Sequence, residues 1–190
     1  MKLPLRPVLV LFAALTVLTG LIYPLALTGI GKLFFAQQAA GSLVMREGKA
    51  VGSSLISQSF SDPKYFWGRL SATSPMPNNA SASTGSNFGP TNPALLDAMR
   101  ERIKALQEAD PDNRMPIPVD LVTASASGLD PHVSPAAALY QVARVARARH
   151  MDPAKLRLLV LDKVEAPQWW LFGEARVNVL MLNLSLDRAQ

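Results

Sequence analysis

The run "PVLVLFAALTVLTGLIYPLALTGIG" (Pro7–Gly31) decides the architecture, because it carries no charged residue. Its roughly 25 residues, at about 1.5 Å each, cover a hydrocarbon core about 30 Å thick with some tilt. Pro7, Leu11, Leu15, Leu18, Ile22 and Leu25 mark the predicted span. Thr16, Thr19 and Thr28 are placed to return hydroxyls to carbonyls of the preceding turn. Pro24 frees one carbonyl and predicts a kink of the kind membrane helices tolerate. A cleaved secretory signal is the competing reading, with an apolar region of about 7–15 residues and a small-x-small site after it. The run here is longer, and "FFAQQAAG" (34–41) offers only weak sites, so a retained span is expected.

Charge sets the expected orientation. Lys2 and Arg6 precede the run, whereas Lys32 stands alone on the far side until Arg46. Positive charge favours the cytoplasm, so the N-terminus is expected inside and the remainder outside, in a bacterium the periplasm. The expected organisation is a membrane helix with a short cytoplasmic start (1–35) and one extracytoplasmic domain (36–190), with Gln37–Gly41 as connector. The fold class is α+β: one N-terminal transmembrane helix, then a single mixed helix-and-strand domain.

Bulk composition agrees with a membrane-anchored chain. Only 17% of residues are charged and 49% are hydrophobic, against roughly 25% charged in ordinary soluble domains. The net charge of +5 is scattered apart from Arg144, Arg147 and Arg149, and reads as solubility charge. No Lys/Arg block tracks a phosphate backbone, so no nucleic-acid partner is expected. The absence of cysteine excludes disulfides, Cys-ligated zinc, a Cys nucleophile and a lipoprotein anchor.

Along the outer part, "SLVMREGKAVGSSLIS" (42–57) reads as a hairpin of Leu43–Met45 and a second run through Val51, Leu55 and Ile56, with Glu47-Gly48-Lys49 at the turn. "FSDPKYFWGRLSA" (60–72) is dense in aromatics. Tyr65 and Trp67 are either core packing around a turn or a partner-facing anchor. "TSPMPNNASASTGSNFGPTNP" (73–93), which contains Asn87, lacks apolar periodicity and reads as a disordered or functional loop. Asn92-Pro93 starts a helix with the stripe Leu95, Leu96, Met99, Ile103 and Leu106, which ends at Asp110-Pro111. "MPIPVDLVTAS" (115–125) reads as extended. Ser134-Pro135 starts a second helix through Leu139, Val142 and Val145, and Asp152-Pro153 starts a third. "ARVNVLMLNLSLD" (175–187) alternates and predicts a strand with a wet face.

Chemistry is sparse. Ser127, Asp130 and His132 are the residue types of a hydrolytic triad, within "SASGLDPHVSP" (125–135). Three residues within six positions rarely converge, and no Gly-x-Ser-x-Gly elbow surrounds Ser127. A tight turn at Gly128–Pro131, with Ser134 capping the next helix, accounts for most of these polar groups. Two histidines and isolated acids make no metal cage, so no catalytic or metal residue is assigned. A membrane-anchored or secreted hydrolase using Ser127, His132 and Asp130 is the alternative reading.

Five stretches then carry a family resemblance: "GSSLISQ" (52–58), "DPKYFWGRLSA" (62–72), "STGSNFGPTNPAL" (83–95), "VDLVTASASGLDPHVSPAAALYQVARVARAR" (119–149) and "VNVLMLNLSLD" (177–187). The chain closely resembles the C subunit of the bacterial high-affinity potassium-transporting ATPase, the Kdp complex. Leu70 stands where the family pattern usually has proline, and Ser57 where it often has glycine. The resemblance implies a single-pass, non-catalytic subunit of the bacterial inner membrane. Its implied partners are a potassium-channel-like subunit, a P-type ATPase subunit, a small membrane subunit and the lipid bilayer. It also implies a catalytic chaperone that raises the ATP-hydrolysing subunit's affinity for ATP. No tightly bound cofactor is expected, and ATP enters only as a ternary-complex ligand with a glutamine helping; Gln141 is the position matched to that role. An outside domain with no glycine-rich phosphate cradle disfavours direct ATP contact, so assembly is the favoured mechanism. Loops 73–93 and 125–134 are expected to lie against the channel-like subunit. Tyr65, Trp67, Asn87, Asp130, His132 and Ser134 are the candidate partner-contact or loop-shaping residues.

Overall fold

A computed structural model describes residues 4–189. Lys2, one of the flanking charges, lies outside them. The chain divides into two compact units, Met1–Val51 and Gly52–Gln190.

The first unit begins with α1 (Leu5–Val17), a π-helical segment (Leu18–Ile22) and α2 (Tyr23–Phe34). Together they form one apolar helix, Leu5–Phe34, of 30 residues with none buried, long and apolar enough to cross a membrane. The π segment answers the expected disturbance at Pro24. Proline has no N–H to give the carbonyl of Gly20, and the Tyr23 amide reaches back five residues to the Leu18 carbonyl. One wide turn thus absorbs the proline within the helix, as π-bulges do elsewhere. Thr19 Oγ1 donates to the Leu15 carbonyl at 2.7 Å, as expected of a hydroxyl in an apolar helix. A short α3 (Ala36–Ala39) follows. The expected hairpin then forms from β1 (Leu43–Arg46) and β2 (Lys49–Ser53), with Lys49 in the second strand rather than the turn and Leu55 and Ile56 beyond its end. Glu47 and Gly48 turn it, both with positive φ (52° and 76°), the two left-handed residues that match the twist of a tight hairpin.

The second unit contains α4 (Pro93–Ala109), β3 (His132–Val133), α5 (Pro135–Tyr140), α6 (Val142–Arg149), α7 (Pro153–Asp162), β4 (Val164–Glu165), β5 (Arg176–Asn178) and α8 (Val179–Arg188). The three predicted cap-plus-proline starts all form. Asn92, Ser134 and Asp152 accept from the amides of Ala94, Ala137 and Ala154. The strands make a small antiparallel sheet in the order β3-β5-β4, pairing Val133 and Val164 with Val177. Around it the core gathers Phe66, Leu106, Leu121, Val145, Leu156, Val160, Val177, Leu182 and Leu186.

Three expectations are corrected. Residues 175–187 are not one strand: only Arg176–Asn178 is extended, and α8 follows. Asn178 accepts from the Met181 amide and caps the helix. Val179, Leu182 and Leu186 then fall three and four apart on one buried face, and Val-Leu-Met-Leu-Asn-Leu satisfies that period as well as alternation. The helix expected after Ser134 is interrupted at Gln141 (φ −88°, ψ −7°), whose amide closes a tighter turn onto the Ala138 carbonyl. The segment 115–125 is not wholly extended, because Val119–Leu121 winds into a single 3-10 turn.

Candidate functional site

The site is built around a buried segment with no regular secondary structure. Phe66 and Trp67 lie in the core, yet their backbone groups find no strand to pair with. Two side-chain amides take the place of a neighbouring strand. Asn183 on α8 accepts from the Phe66 N–H at 2.9 Å and donates to the Phe66 carbonyl at 3.0 Å. Gln141 does the same for Trp67, accepting at 2.8 Å and donating at 3.0 Å. Buried backbone groups must be paired somewhere, and a primary amide carries the same donor and acceptor as a peptide.

The arginines of α6 extend this strap. Arg144 donates to the Pro63 carbonyl and, at 2.6 Å, to Gln141 Oε1, with its guanidinium 4.3 Å from the centre of the Trp67 ring. Arg149 donates to the Lys64 carbonyl at 2.8 Å, pairs with Asp187 at 2.7 Å and lies 4.7 Å from the Tyr65 ring centre. Arg102 on α4 approaches Trp67 at 5.2 Å while donating to the carbonyls of Leu121 and Gly68. The reading of these cations as solubility charge is therefore corrected for Arg144 and Arg149, which are buried. Burial lowers the Arg144 guanidinium to about 10, partly offset by the carboxylate of Asp110. It remains a cation at neutral pH and interacts with the aromatic face in a desolvated setting.

This geometry places several predicted residues. Trp67 is a core anchor, with its indole N–H on the Asp62 carbonyl. Tyr65 is half-buried, and its hydroxyl reaches Asp187 at 3.3 Å. Gln141 is 1% exposed, and its amide nitrogen also donates to the Ala137 carbonyl, so both ends of the amide are engaged.

A second cluster forms where the turn of 125–134 meets Arg69. Asp130 accepts from the His132 backbone at 3.0 Å, from His132 Nδ1 at 3.2 Å and from Arg69 at 3.2 Å. Burial pushes its carboxyl up, but the hydrogen bonds from His132 and the charges of His132 and Arg69 outweigh that and leave it below its ordinary value. Arg69 also donates to the Ala124 carbonyl, and its Nε is buried without a partner. Asp120 accepts from the Ser134 amide at 2.7 Å and from its hydroxyl at 3.2 Å, which fixes the cap of α5. Arg69, Asp120, Asp130, His132, Ser134, Glu174 and Arg176 border an open cleft of about 530 Å³. The structure joins His132 to Asp130 but does not bring Ser127 to them. The Ser127 hydroxyl is exposed and accepts from the Leu129 amide at 3.1 Å. Among the described residues no acidic or histidine cluster fits a metal ion.

Of the two readings open for the polar loop 73–93, disordered or functional, the structure shows it held in place by hydrogen bonds. Ser71 and Thr73 serve as hubs, receiving the amides of Asn78 and Asn79 at 2.9 and 3.0 Å. The Ser71 hydroxyl donates to the Gly128 carbonyl at 2.7 Å, and that of Ser83 to the Ser127 carbonyl at 2.9 Å. The two loops lie so close that glycine is required at both contacts. A Cβ on Gly128 (φ +69°) would meet the Thr84 carbonyl oxygen at 2.8 Å, and one on Gly85 would meet the Ala126 carbonyl oxygen at 2.7 Å. Asn87 is exposed in a left-handed conformation (φ 51°), which asparagine tolerates well.

Sequence reasoning missed Asn183, Arg144 and Arg149 as strap residues. Their signal was present as polar residues on the buried faces of α6 and α8. It also passed over Trp169–Phe172, four consecutive large apolar residues.

The model of the family described as "KdpC: K+-transporting ATPase, c chain" matches residues 5–188. A protein of Dechloromonas aromatica (strain RCB) is 64% identical over 98% of this chain and 98% of its own length. One of Polaromonas naphthalenivorans (strain CJ2) is 66% identical over 98% and 95%, and one of Herminiimonas arsenicoxydans 62% over 99% of each. All three are named potassium-transporting ATPase KdpC subunit.

Proposed function

From the premise that this chain belongs to the KdpC family, the c chain of K+-transporting ATPases, we propose that it is a single-span accessory subunit that holds the transport complex together and does no chemistry itself. Its N-terminus lies in the cytoplasm, and its helix-and-strand domain lies outside the bacterial inner membrane. The partners are the channel-like subunit, the P-type ATPase subunit and the small membrane subunit. The carrying observation is the end-to-end family match on a chain whose polar groups in 125–134 are spent on the fold. His132, Asp130, Ser134 and Asp120 bond one another and the backbone, which is the behaviour of a shaped loop. The ordered pair of loops 73–93 and 125–134 is the surface proposed to meet the channel-like subunit.

An effect on the ATP-hydrolysing subunit's affinity for ATP is read as transmitted through subunit contacts. The support is that Gln141, the glutamine first matched to nucleotide, already has its oxygen and nitrogen bonded to Trp67, Arg144 and Ala137.

K+-stimulated ATP hydrolysis by the purified complex tests the accessory role. It should fall when this chain is omitted and return when the chain is added, with Ser127→Ala restoring it fully. A complex that assembles and turns over equally without the chain contradicts the reading. Because the protein has no cysteine, a single Ser81→Cys variant tests the topology. A membrane-impermeant maleimide added to intact spheroplasts should label it, and labelling only after lysis would reverse the orientation.

A further inference from the structure

Between β4 and β5 the chain runs "APQWWLFGEA" (166–175), and its tip is the most exposed apolar cluster outside the helix 5–34. Trp169, Trp170, Leu171 and Phe172 are 78%, 86%, 76% and 56% exposed, and Trp170 exceeds every large apolar side chain of the span itself. The tip is nonetheless ordered. Gln168 and Phe172 exchange backbone hydrogen bonds at 2.8 and 2.9 Å, and the Trp170 amide closes onto the Pro167 carbonyl at 3.0 Å. Both tryptophans have left-handed backbones (φ 52° and 62°), a conformation that bulky residues adopt only under constraint. At the base, Glu165 and Arg176 pair across the strands at 3.0 Å. From 166 to 173 there is no charge.

We infer that this hairpin tip inserts into the headgroup region of a lipid bilayer, as a second and peripheral membrane contact of the domain. Three features favour lipid. Tryptophan, with an apolar ring and one N–H, partitions to membrane–water interfaces. The tip is uncharged, and of the charges bordering it Glu165 is paired with Arg176 and Glu174 stands beside them, which suits zwitterionic headgroups and gives no net attraction to anionic ones. The chain also brings the bilayer with it. The second unit begins at Gly52, after only 17 residues beyond Phe34, and a short tether raises the effective concentration of the surface. The inference rests on reading Leu5–Phe34 as a membrane span.

Fluorescence tests it directly, because the chain has three tryptophans: Trp67, buried in the core, and the two at the tip. The full chain is reconstituted into phosphatidylcholine vesicles with bromine near the headgroup end of the acyl chains. The expected result is a blue-shifted emission, strongly quenched by bromolipid and protected from aqueous acrylamide, at low and high salt alike. In Trp169→Ser/Trp170→Ser the bromolipid-quenched component should vanish while the Trp67 emission, a check on folding, is unchanged. Emission of water-exposed indole, open to acrylamide and indifferent to bromine, overturns the inference. So does shielding that appears only when the other transport subunits are added, which would assign the tip to a protein partner. Flotation of the chain with the vesicles reports on the span separately, so failure of the tip and failure of the span are distinguishable.

Discussion

At the scale of single residues, the domain depends on side chains standing in for peptide groups. Gln141 and Asn183 satisfy four backbone groups of Phe66 and Trp67, all buried. Removing one partner leaves the others desolvated and unpaired, at about 1–3 kcal/mol for each orphaned group. Gln141→Ala should therefore destabilise the domain by about 2–6 kcal/mol in denaturant unfolding, from the orphaned Trp67 amide and carbonyl. An unchanged midpoint would show that water replaces the amide without loss. Asp130 makes a prediction with pH. Its carboxyl titrates below the ordinary value in the folded chain, so the folded state binds fewer protons than the unfolded one in acid. The stability it contributes is complete above an unfolded value of about 3.9 and drains as pH falls through the folded value. The gap in unfolding midpoint between wild type and Asp130→Asn should be largest near neutrality and close in acid. A gap that widens in acid contradicts the assignment.

At the scale of elements, the N-terminal helix carries the clearest expectation. Leu15→Arg places a guanidinium mid-span, at about 2.5–3.5 kcal/mol on insertion scales. The membrane-integrated fraction should fall accordingly, as read by alkaline extraction, and an unaltered yield would show that the helix does not span. The paired loops make the second expectation. Ser83 and Gly85 touch the 125–134 turn through one hydrogen bond and a close backbone approach, and neither belongs to the apolar core. Deleting part of 81–90 should weaken assembly of the complex more than it lowers the unfolding midpoint, and equal losses would make the loop part of the core. The sequence disclosed those elements whose signals are local. The apolar helix, the hairpin turn and three helix starts are each written in contiguous residues. Two periods compete in 175–187, and the Asn178 cap together with burial of Leu182 and Leu186 in the core selects the helix over the strand. The strap was invisible because its parts lie 74 and 117 residues apart in the chain. Composition suggested disorder for 73–93, but Ser and Asn also pair with backbone, and here Ser71 and Thr73 do so.

At the scale of the whole molecule, a helix long and apolar enough to cross a membrane precedes a helix-and-strand unit, in a chain of the KdpC family. Family membership from residue 5 to 188 names the assembly it serves. The central claim is that this chain resides in a potassium-transporting complex as a stoichiometric, membrane-anchored subunit. The most direct measurement is to purify the tagged full-length chain in mild detergent from its native membranes and identify what is bound by mass spectrometry. The account predicts a constant ratio to a multi-span channel-like protein and a P-type ATPase subunit, with the N-terminal helix intact. Recovery of the chain alone, or of a soluble form trimmed after the span, would contradict it.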